Sequence, residues 1–496
     1  MAKLYERVLD IAVQRGFLLP SAEIYGSMAG IYDYGPIGAP IKRKIQNLFR
    51  EIFITCPGFL EIESSTIVPK EALVASGHAA SFSDPLVECK KTKKQYRADH
   101  LLQEATGKSW EGKSVEELQK RLKEHKITSP DGGELGEIKA FNLMFGASMG
   151  ATNEKNAYLR PETAQGIFLD FKRIFLQNGS KLPLAIGQVG RSYRNEISPR
   201  QGLVRMREFS QMELEYFFNP KKDEMPGFEK IQKKEVRVRL PGEKNAIEVS
   251  LEDAIKNKYF ANQIMATLIY WQHQLYLRVG IPAKKFHFAI LPKDGLPHYS
   301  QANVDLEMIT SYGVIEGSGT AYRTDFDLKN HAKHSNTDLS VKLPEEEEKI
   351  IPHVIEPSLG VDRLFYCLLE SAYKEKSPEK EWEWFDFPPA VAPYLAGVFP
   401  LMKKDGLDKL AGEIVQTLRE GGVECYYSQS GSIGKRYARA DEIGVPYCIT
   451  IDYDSKEKKD VTIRYRNDGG QERISISSLA DKIIEDAKKG KVSLKC

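Results

Sequence analysis

Apolar residues recur at a helical period over residues 4–16, break at Gly26, Gly30, Gly35, Pro36 and Gly38, and resume over 39–53. That pattern predicts an amphipathic helix, a turn-rich link and a longer, partly buried second helix. Over 57–69 the pattern becomes strand-like, with Leu60, Ile62 and the Ile67-Val68 pair. Pro69 is confined to a strand end or an edge, because it has no amide to donate. Residues 110–136 read as an insertion: a short charged helix over 114–125, then the turn Ser129-Pro130-Asp131-Gly132-Gly133, before apolar core resumes at Phe141. Strands follow at 184–189, 208–218 and 285–291, with helices at 163–177 and 262–279. Strands joined by hairpin-like links predict an antiparallel sheet with helices against it, an α+β fold. The acidic run at 345–348 reads as a solvated loop.

Residues 376–393, KSPEKEWEWFDFPPAVAP, carry the charge and proline of a domain junction. Beyond them strands at 395–399, 423–427, 447–451, 461–465 and 473–476 alternate with helices at 406–420, 435–443 and 478–488, the pattern of a small α/β domain. The chain is expected to divide at 388/389, with insertions in the first part at about 101–140 and 220–260.

Composition narrows the function classes. With 496 residues, 41% hydrophobic and 28% charged, the chain can bury more than one core. Lys+Arg 71 against Asp+Glu 69 leaves +2, so a polyanion partner must be met by local patches rather than by overall charge. The N-terminal apolar pattern is broken by Glu6, Arg7, Asp10 and Arg15, unlike a signal peptide. The longest weakly polar run, 391–402, contains Pro393 and Pro400 and is far short of the roughly 20 residues that span a bilayer. Cysteines at 56, 89, 367, 425, 448 and 496 show no paired spacing. A soluble protein of the reducing cytoplasm, without a disulfide framework, is expected.

Two stretches carry the chemistry. In residues 190–217 two strand-like segments flank a loop with Pro199 and Gly202, and Arg191, Arg194, Arg200, Arg205 and Arg207 alternate with Glu196, Glu208, Glu213 and Glu215 around Phe209. Far away in sequence, residues 355–363 form a glycine-bearing strand-to-helix turn with Arg363 on the first turn, where a guanidinium fork can reach phosphate oxygens. Two guanidinium groups and an aromatic plate are what a nucleoside triphosphate bound on an antiparallel sheet requires.

GRSYRNEISPRQGLVRMREF resembles the second signature of class II aminoacyl-tRNA synthetases, EPSLGVDR the third, and the long helix with its strand ending at Pro69 the first. More narrowly, GIYDYGPIG at 30–38, RADHL at 97–101, FNLMFG at 141–146, LRPETAQGIF at 159–168 and GSIGKRYARADEIGVPY at 431–447 resemble the homodimeric glycyl-tRNA synthetases of archaea and eukaryotes. The resemblance covers nearly the whole chain. It implies a class II catalytic domain over 1–388 and an anticodon-binding domain over 389–496. It implies glycine, ATP and tRNA(Gly) as substrates, Mg2+ with the ATP, and a homodimer joined through the 39–53 helix and its following strand.

The site residues that the resemblance implies are Arg194 on the α-phosphate, Arg363 on the γ-phosphate of a bent ATP, Glu196 at the adenine amino group, Phe209 stacked on the ring, Arg205 on the phosphate tail and Glu316 at magnesium. Asn195, Val204, Met206, Arg207, Glu208, Gly317 and Gly360 complete the expected ATP site. Around the glycine ammonium it implies Glu162, Glu213 and Glu356, with Phe209, Pro357 and Ser358 beside them and Arg97 facing the substrate carboxylate. Carboxylates at the walls would hold the cation and occupy the room a methyl needs. Lys435, Arg436 and Arg439, near Tyr426 and Tyr427, would meet the tRNA.

The chain departs from the family at two places. Many relatives carry a zinc knuckle before RADHL; here Cys89 faces Thr92 at the partner position, and 129–133 has no cysteine, so no structural zinc is expected. Tyr322 stands before Arg323 where relatives have Asp, which leaves a second magnesium-side contact open. A non-catalytic paralogue and a ligase for another small amino acid are the competing readings, disfavoured by the retained arginines and by the three carboxylates respectively.

Overall fold

The computed structural model describes residues 4–489 apart from 109, 111–112, 151–154, 198, 200–201, 298 and 345. Arg200 of the arginine series, Glu345 and Cys496 lie outside the described residues.

Nine strands form the main sheet among these residues: β1 (Leu60–Glu61), β2 (Leu184–Tyr193), β3 (Glu208–Phe218), β4 (Glu235–Arg239), β5 (Ile247–Ser250), β6 (Phe286–Ile290), β7 (Ala302–Thr310), β8 (Gly313–Thr324) and β9 (His353–Gly360). Their spatial order is β5-β4-β6-β7-β8-β9-β3-β2-β1. The run from β6 to β2 is antiparallel throughout, and only β1 beside β2 and β4 beside β6 are parallel. The β4–β5 pair and the β7–β8 hairpin are not among the sequence expectations: β4 and β5 are short and charged, and β8 is interrupted by Gly317 and Gly319, so neither pair stands out until a neighbour buries one face.

Helices around this sheet include α1 (Leu4–Gln14), α2 (Gly38–Arg50), α3 (Ala164–Gln177), α4 (Gln263–Val279), α5 (Phe326–Ser335) and α6 (Val361–Ala372). The helix expected over 39–53 is α2 continued by a wide π turn, Glu51–Thr55. Asn262 sets the start of α4 by accepting from the Met265 amide at 3.0 Å.

Alternation along β3 puts Met212, Leu214 and Tyr216 on one face and Gln211, Glu213, Glu215 and Phe217 on the other. The first face packs against Ile41, Ile45 and Phe49 of α2, Leu268 and Leu275 of α4 and Phe365 of α6. On the second face, Phe168 and Phe171 of α3 and Leu328 of α5 cover only one end, where Phe171 stacks on Phe217 at 4.3 Å. The uncovered remainder of that face is where a cavity opens.

The insertion carries α-helix Val115–Glu124, capped by Ser114, and leads into strand Leu135–Asn142, which pairs with the preceding strand Ser83–Cys89, itself paired with Gln95–Arg97. Hydrogen bonds join the turn after Cys89 to the 129–133 turn. Ser129 Oγ donates to Cys89 Sγ at 3.0 Å, and Asp131 accepts from Thr92 at 2.9 Å, Lys94 at 3.0 Å and Tyr96 at 2.5 Å.

The C-terminal sheet comprises β10 (Ala396–Pro400), β11 (Cys425–Tyr427), β12 (Tyr447–Ile451), β13 (Asp460–Tyr465) and β14 (Gln471–Ser475), in the order β11-β10-β12-β13-β14. Helices α7 (Leu407–Glu420), α8 (Ile433–Glu442) and α9 (Leu479–Lys489) accompany it, and its core holds Val398, Ile414, Ile449 and Ile463. Polar clamps lock it to the rest: Arg466 donates to Asp386 at 2.6 Å, Arg15 to Glu442 at 3.0 Å and Arg43 to Glu424 at 3.2 Å. No helix among the described residues is long and apolar enough to cross a membrane.

Candidate active site

A cavity of about 370 Å³ lies on the open face of the main sheet. Strands β3, β7, β8 and β9 supply its floor, and the loops before α3 and after β2 supply its wall. Of the residues expected from sequence, Arg194, Glu196, Val204, Arg205, Met206, Phe209, Glu316, Gly317, Gly360 and Arg363 line it, as do Glu162, Glu213, Glu356 and Ser358. Segments nearly 200 residues apart in sequence thus converge on one hollow, because β3 and β9 are direct neighbours with Glu213 opposite Ser358.

Its cationic part is held by the backbone. Arg363 Nε donates to the Val204 carbonyl at 3.0 Å and its Nη1 to the Glu316 carbonyl at 2.7 Å. Arg194 Nε donates to the Pro161 carbonyl at 3.1 Å, and its guanidinium carbon stands 5.3 Å from the Phe209 ring centre and 5.3 Å from that of Phe82. Arg205 stands 3.7 Å from Glu196. Each guanidinium is thereby oriented while keeping donors free, the preorganisation that developing phosphate charge calls for. Behind them, Asp362 accepts from Tyr34 at 2.5 Å, from Lys42 at 3.1 Å and from the Ser210 amide at 2.6 Å, joining α2, β3 and α6 through one carboxylate. Gly317 admits the tight approach of β8 to α4: a Cβ there would lie 2.5 Å from the Tyr276 hydroxyl.

The anionic part is built around Arg323, which sequence analysis noted without a role. Its guanidinium is buried, 3% exposed, and donates to Glu356 at 2.6 Å and to both oxygens of Asp327 at 2.7 and 2.8 Å, with Tyr299 against its face at 4.1 Å. Glu213 accepts from Ser358 at 2.6 Å, from Gln211 at 3.0 Å and from Thr163. Glu162 accepts from Gln165 at 2.8 Å and lies 3.3 Å from His78. Burial pushes the Glu162 carboxyl up, but His78 and Arg323 outweigh it and hold the group below the usual carboxylate range. Burial and the neighbouring Glu162 charge push Glu213 up, and burial does the same to Glu356 against the pull of Arg323.

Sequence reasoning missed Asp305, which lines the cavity beside Glu316; burial, then the Glu316 charge, raise its carboxyl. The signal was present in ANVDLEMIT, where Val304, Leu306 and Met308 alternate with Asn303, Asp305 and Glu307. Tyr322 faces away, its hydroxyl 2.7 Å from His353 Nδ1 and its ring against Phe218, so the departure before Arg323 leaves the cavity wall unaltered.

Several expected residues are elsewhere. Arg97 is not in the cavity lining: it pairs with Asp84 at 3.1 Å and with Asp99, which take up its charge. Arg207 donates to the carbonyls of Glu196 at 3.1 Å and Ala29 at 3.2 Å, and Glu208 pairs with Arg191, so both brace the hairpin. The Asn195 backbone N–H donates to the Leu143 carbonyl at 2.7 Å, and the residue is outside the lining. Pro357 falls between Glu356 and Ser358 and, by strand alternation, points to the opposite face. In the C-terminal part, Lys435 and Arg439 line a shallow hollow with Tyr426, but Arg436 is 2% exposed and donates to the Pro400 carbonyl at 2.6 Å and the Ser428 carbonyl at 3.3 Å. It is a buried strut, and its expected tRNA contact is withdrawn.

Comparison with known proteins agrees with this geometry. Residues 147–372 match the tRNA synthetase class II core domain (G, H, P, S and T), and 396–486 match an anticodon binding domain. The chain is 39% identical to the glycine–tRNA ligase of Methanocaldococcus jannaschii, over 98% of this chain and 99% of that one. It is also 39% identical to the glycine–tRNA ligase of Pyrococcus abyssi, over 97% and 98%. A crystal structure of prolyl-tRNA synthetase from Cryptosporidium parvum, complexed with halofuginone and AMPPNP, superposes with a TM-score of 0.61 over 99% of this chain and 78% of that one, at 14% identity, a likeness of fold.

Proposed function

Since this chain belongs to the class II glycine–tRNA ligases, we propose which of its side chains carry out the two steps of that reaction. Glycine and ATP give glycyl-adenylate and pyrophosphate, and the 3′-hydroxyl of the terminal tRNA adenosine then attacks the acyl carbon. The first step needs no general base, because the attacking carboxylate is already ionised at neutral pH. Placement and charge supply the rate.

Arg194 holds the α-phosphate, where negative charge builds as the glycine carboxylate attacks phosphorus. Phe209 stacks on adenine, Glu196 accepts from its amino group, and Arg205 and Arg363 hold the phosphate tail folded back over the sheet. Class II synthetases use ATP with Mg2+; Glu316 and Asp305 fit that ion, because they are adjacent carboxyls whose mutual repulsion a divalent cation relieves, and hard oxygen donors suit it. The ion supplies neutralisation of phosphate charge. Glu162, Glu213 and Glu356 surround the glycine ammonium, while Ser358 and Gln211 fix the Glu213 carboxyl so that a methyl on the substrate would meet a charged, hydrogen-bonded wall. The observation that carries this reading is the single cavity with guanidinium groups along one part and carboxylates along the next.

The test is ATP–pyrophosphate exchange with the full-length chain. Exchange is expected with glycine and not with alanine, serine, threonine or proline; exchange without discrimination overturns the assignment of the acidic wall. We also assign tRNA contact to Lys435 and Arg439; a Lys435→Ala, Arg439→Ala chain that charges tRNA(Gly) with unaltered KM removes them. The catalytic part spans 1–388 and the anticodon-binding part 389–496; Cys56, expected unpaired, is disulfide-bonded, and the cytoplasm is assigned on the four free thiols of Cys89, Cys367, Cys425 and Cys448.

The active form is a homodimer joined through the outer side of α2 and the edge strand β1, whose one side has no neighbour in the main sheet. Sedimentation equilibrium is expected to give the mass of two chains at micromolar concentration, and a monomer mass with full exchange activity overturns it.

A further inference from the structure

Directly beneath the amine-binding wall lies a carboxyl that the reaction as described does not use. Glu215, two residues past Glu213 on the same face of β3, is fully buried, and neither of its oxygens has a hydrogen-bond partner among the described residues. The charged groups acting on it come from each surrounding element: Glu213 on its own strand, Glu356 on β9, Arg323 on β8 and Asp327 on α5. The opposite neighbour on β2 is Ile186, and α3 contributes the Phe168 ring, which lies on Arg323 at 5.4 Å. With Glu162 at the far wall, His78, His331 and Arg160 act on Glu162, Asp327 and Glu213 respectively, and five carboxyls crowd the guanidinium at their centre, Arg323. Two of the guanidinium's donor edges are already committed to Asp327 and Glu356.

Such a cluster cannot be fully ionised while empty, since buried charge without a counter-charge is heavily penalised. The group left without any hydrogen bond is the one that keeps a proton most readily. Resting on the functional reading above, we propose that Glu215 is a positioning residue of the glycine site: it and Glu356 share a proton in the empty cavity, and arrival of the glycine ammonium ionises the pair, the proton passing to solvent. Charge balances because the incoming ammonium replaces the departing proton. The design makes Glu356 a full carboxylate only when an amine is present to meet it.

Burial and then the Glu356 charge raise Glu215, and burial with the Glu213 and Glu162 charges raises Glu356 against the pull of Arg323, which sets the sign. Glycine binds the deprotonated pair more tightly, so its KM in exchange falls as pH rises through neutrality. Calorimetric titration of the full-length chain with glycine, in buffers of differing ionisation heat, is expected to show release of roughly one proton per glycine bound. In Glu215→Gln, Glu356 loses the carboxyl it shares the proton with while Glu213 and Glu162 still act on it, so release falls well below one proton per glycine and the pH dependence of KM flattens. Glu215→Asp restores release.

A merely structural Glu215 would alter stability or kcat while leaving the proton count intact. Glycine binding by the unaltered chain with no buffer dependence overturns the inference whether or not the variants fold, as does undiminished release from a folded Glu215→Gln. Absence of glycine binding and of exchange in the unaltered chain would instead overturn the functional reading.

Discussion

In Arg194→Gln, glycine-dependent ATP–pyrophosphate exchange falls by about 10³-fold, the scale on which preorganised cationic donors act in phosphoryl and acyl transfer. Glutamine can still bond the Pro161 carbonyl that Arg194 Nε now meets, so the wall of the cavity keeps its shape. What disappears is a full positive charge beside the aromatic plate, at the place where negative charge grows. The loss falls on kcat for adenylate formation, while affinity for tRNA(Gly) stays within twofold of the parent by roughly the measure of surface substitutions. Exchange measured by isotope incorporation decides it: a variant that exchanges at the parental rate removes Arg194 from the reaction.

The largest loss of stability is expected from Arg323→Met. Methionine matches the stem of arginine in volume but removes the one guanidinium that Glu356 and Asp327 both use. Breaking a buried pair by deleting one partner costs about 3–5 kcal/mol, because the abandoned charges stay buried. The orphaned carboxyls are then raised further in the folded state than in the unfolded one. Their contribution to folding is therefore intact at low pH and lost as pH rises, so the gap between variant and parent narrows on acidification. Urea midpoints at pH 5 and pH 8 give the comparison, and a constant gap across that range would show that Arg323 is not the counter-charge. Glycine-dependent exchange falls with it, since Glu356 is no longer held toward the cavity.

The strands that carry the nucleotide chemistry were readable because their pattern is local. Residues 211–216 alternate polar with apolar inside the strand expected over 208–218, and the structure begins and ends β3 at those residues. Alternation could not say what that polar face meets: Glu213 and Glu215 look like a solvated row, yet both are buried, Glu213 in the wall of the cavity. Arg436 failed for the same reason. On a helix with Lys435 and Arg439 it reads as one basic patch, yet 3.6-residue spacing turns it inward onto carbonyls 36 and 8 residues away in sequence, a distance no periodicity encodes. Arg97 was carried by its motif alone, and Asp84, which takes up its charge, sits on a strand whose pairing comes only with the fold. The helix over 39–53 was found in place, but its π turn depends on how Phe53 must meet Phe49 and Trp271 in the core.

Asp362 turns the two grips on the nucleotide into one mechanism. A single carboxylate pins Tyr34, Lys42 and the backbone beside Phe209, and the next residue along is Arg363. Any displacement of helix α2 is therefore delivered to the ring platform and to the tail clamp together, as a lever with one fulcrum moves both its arms.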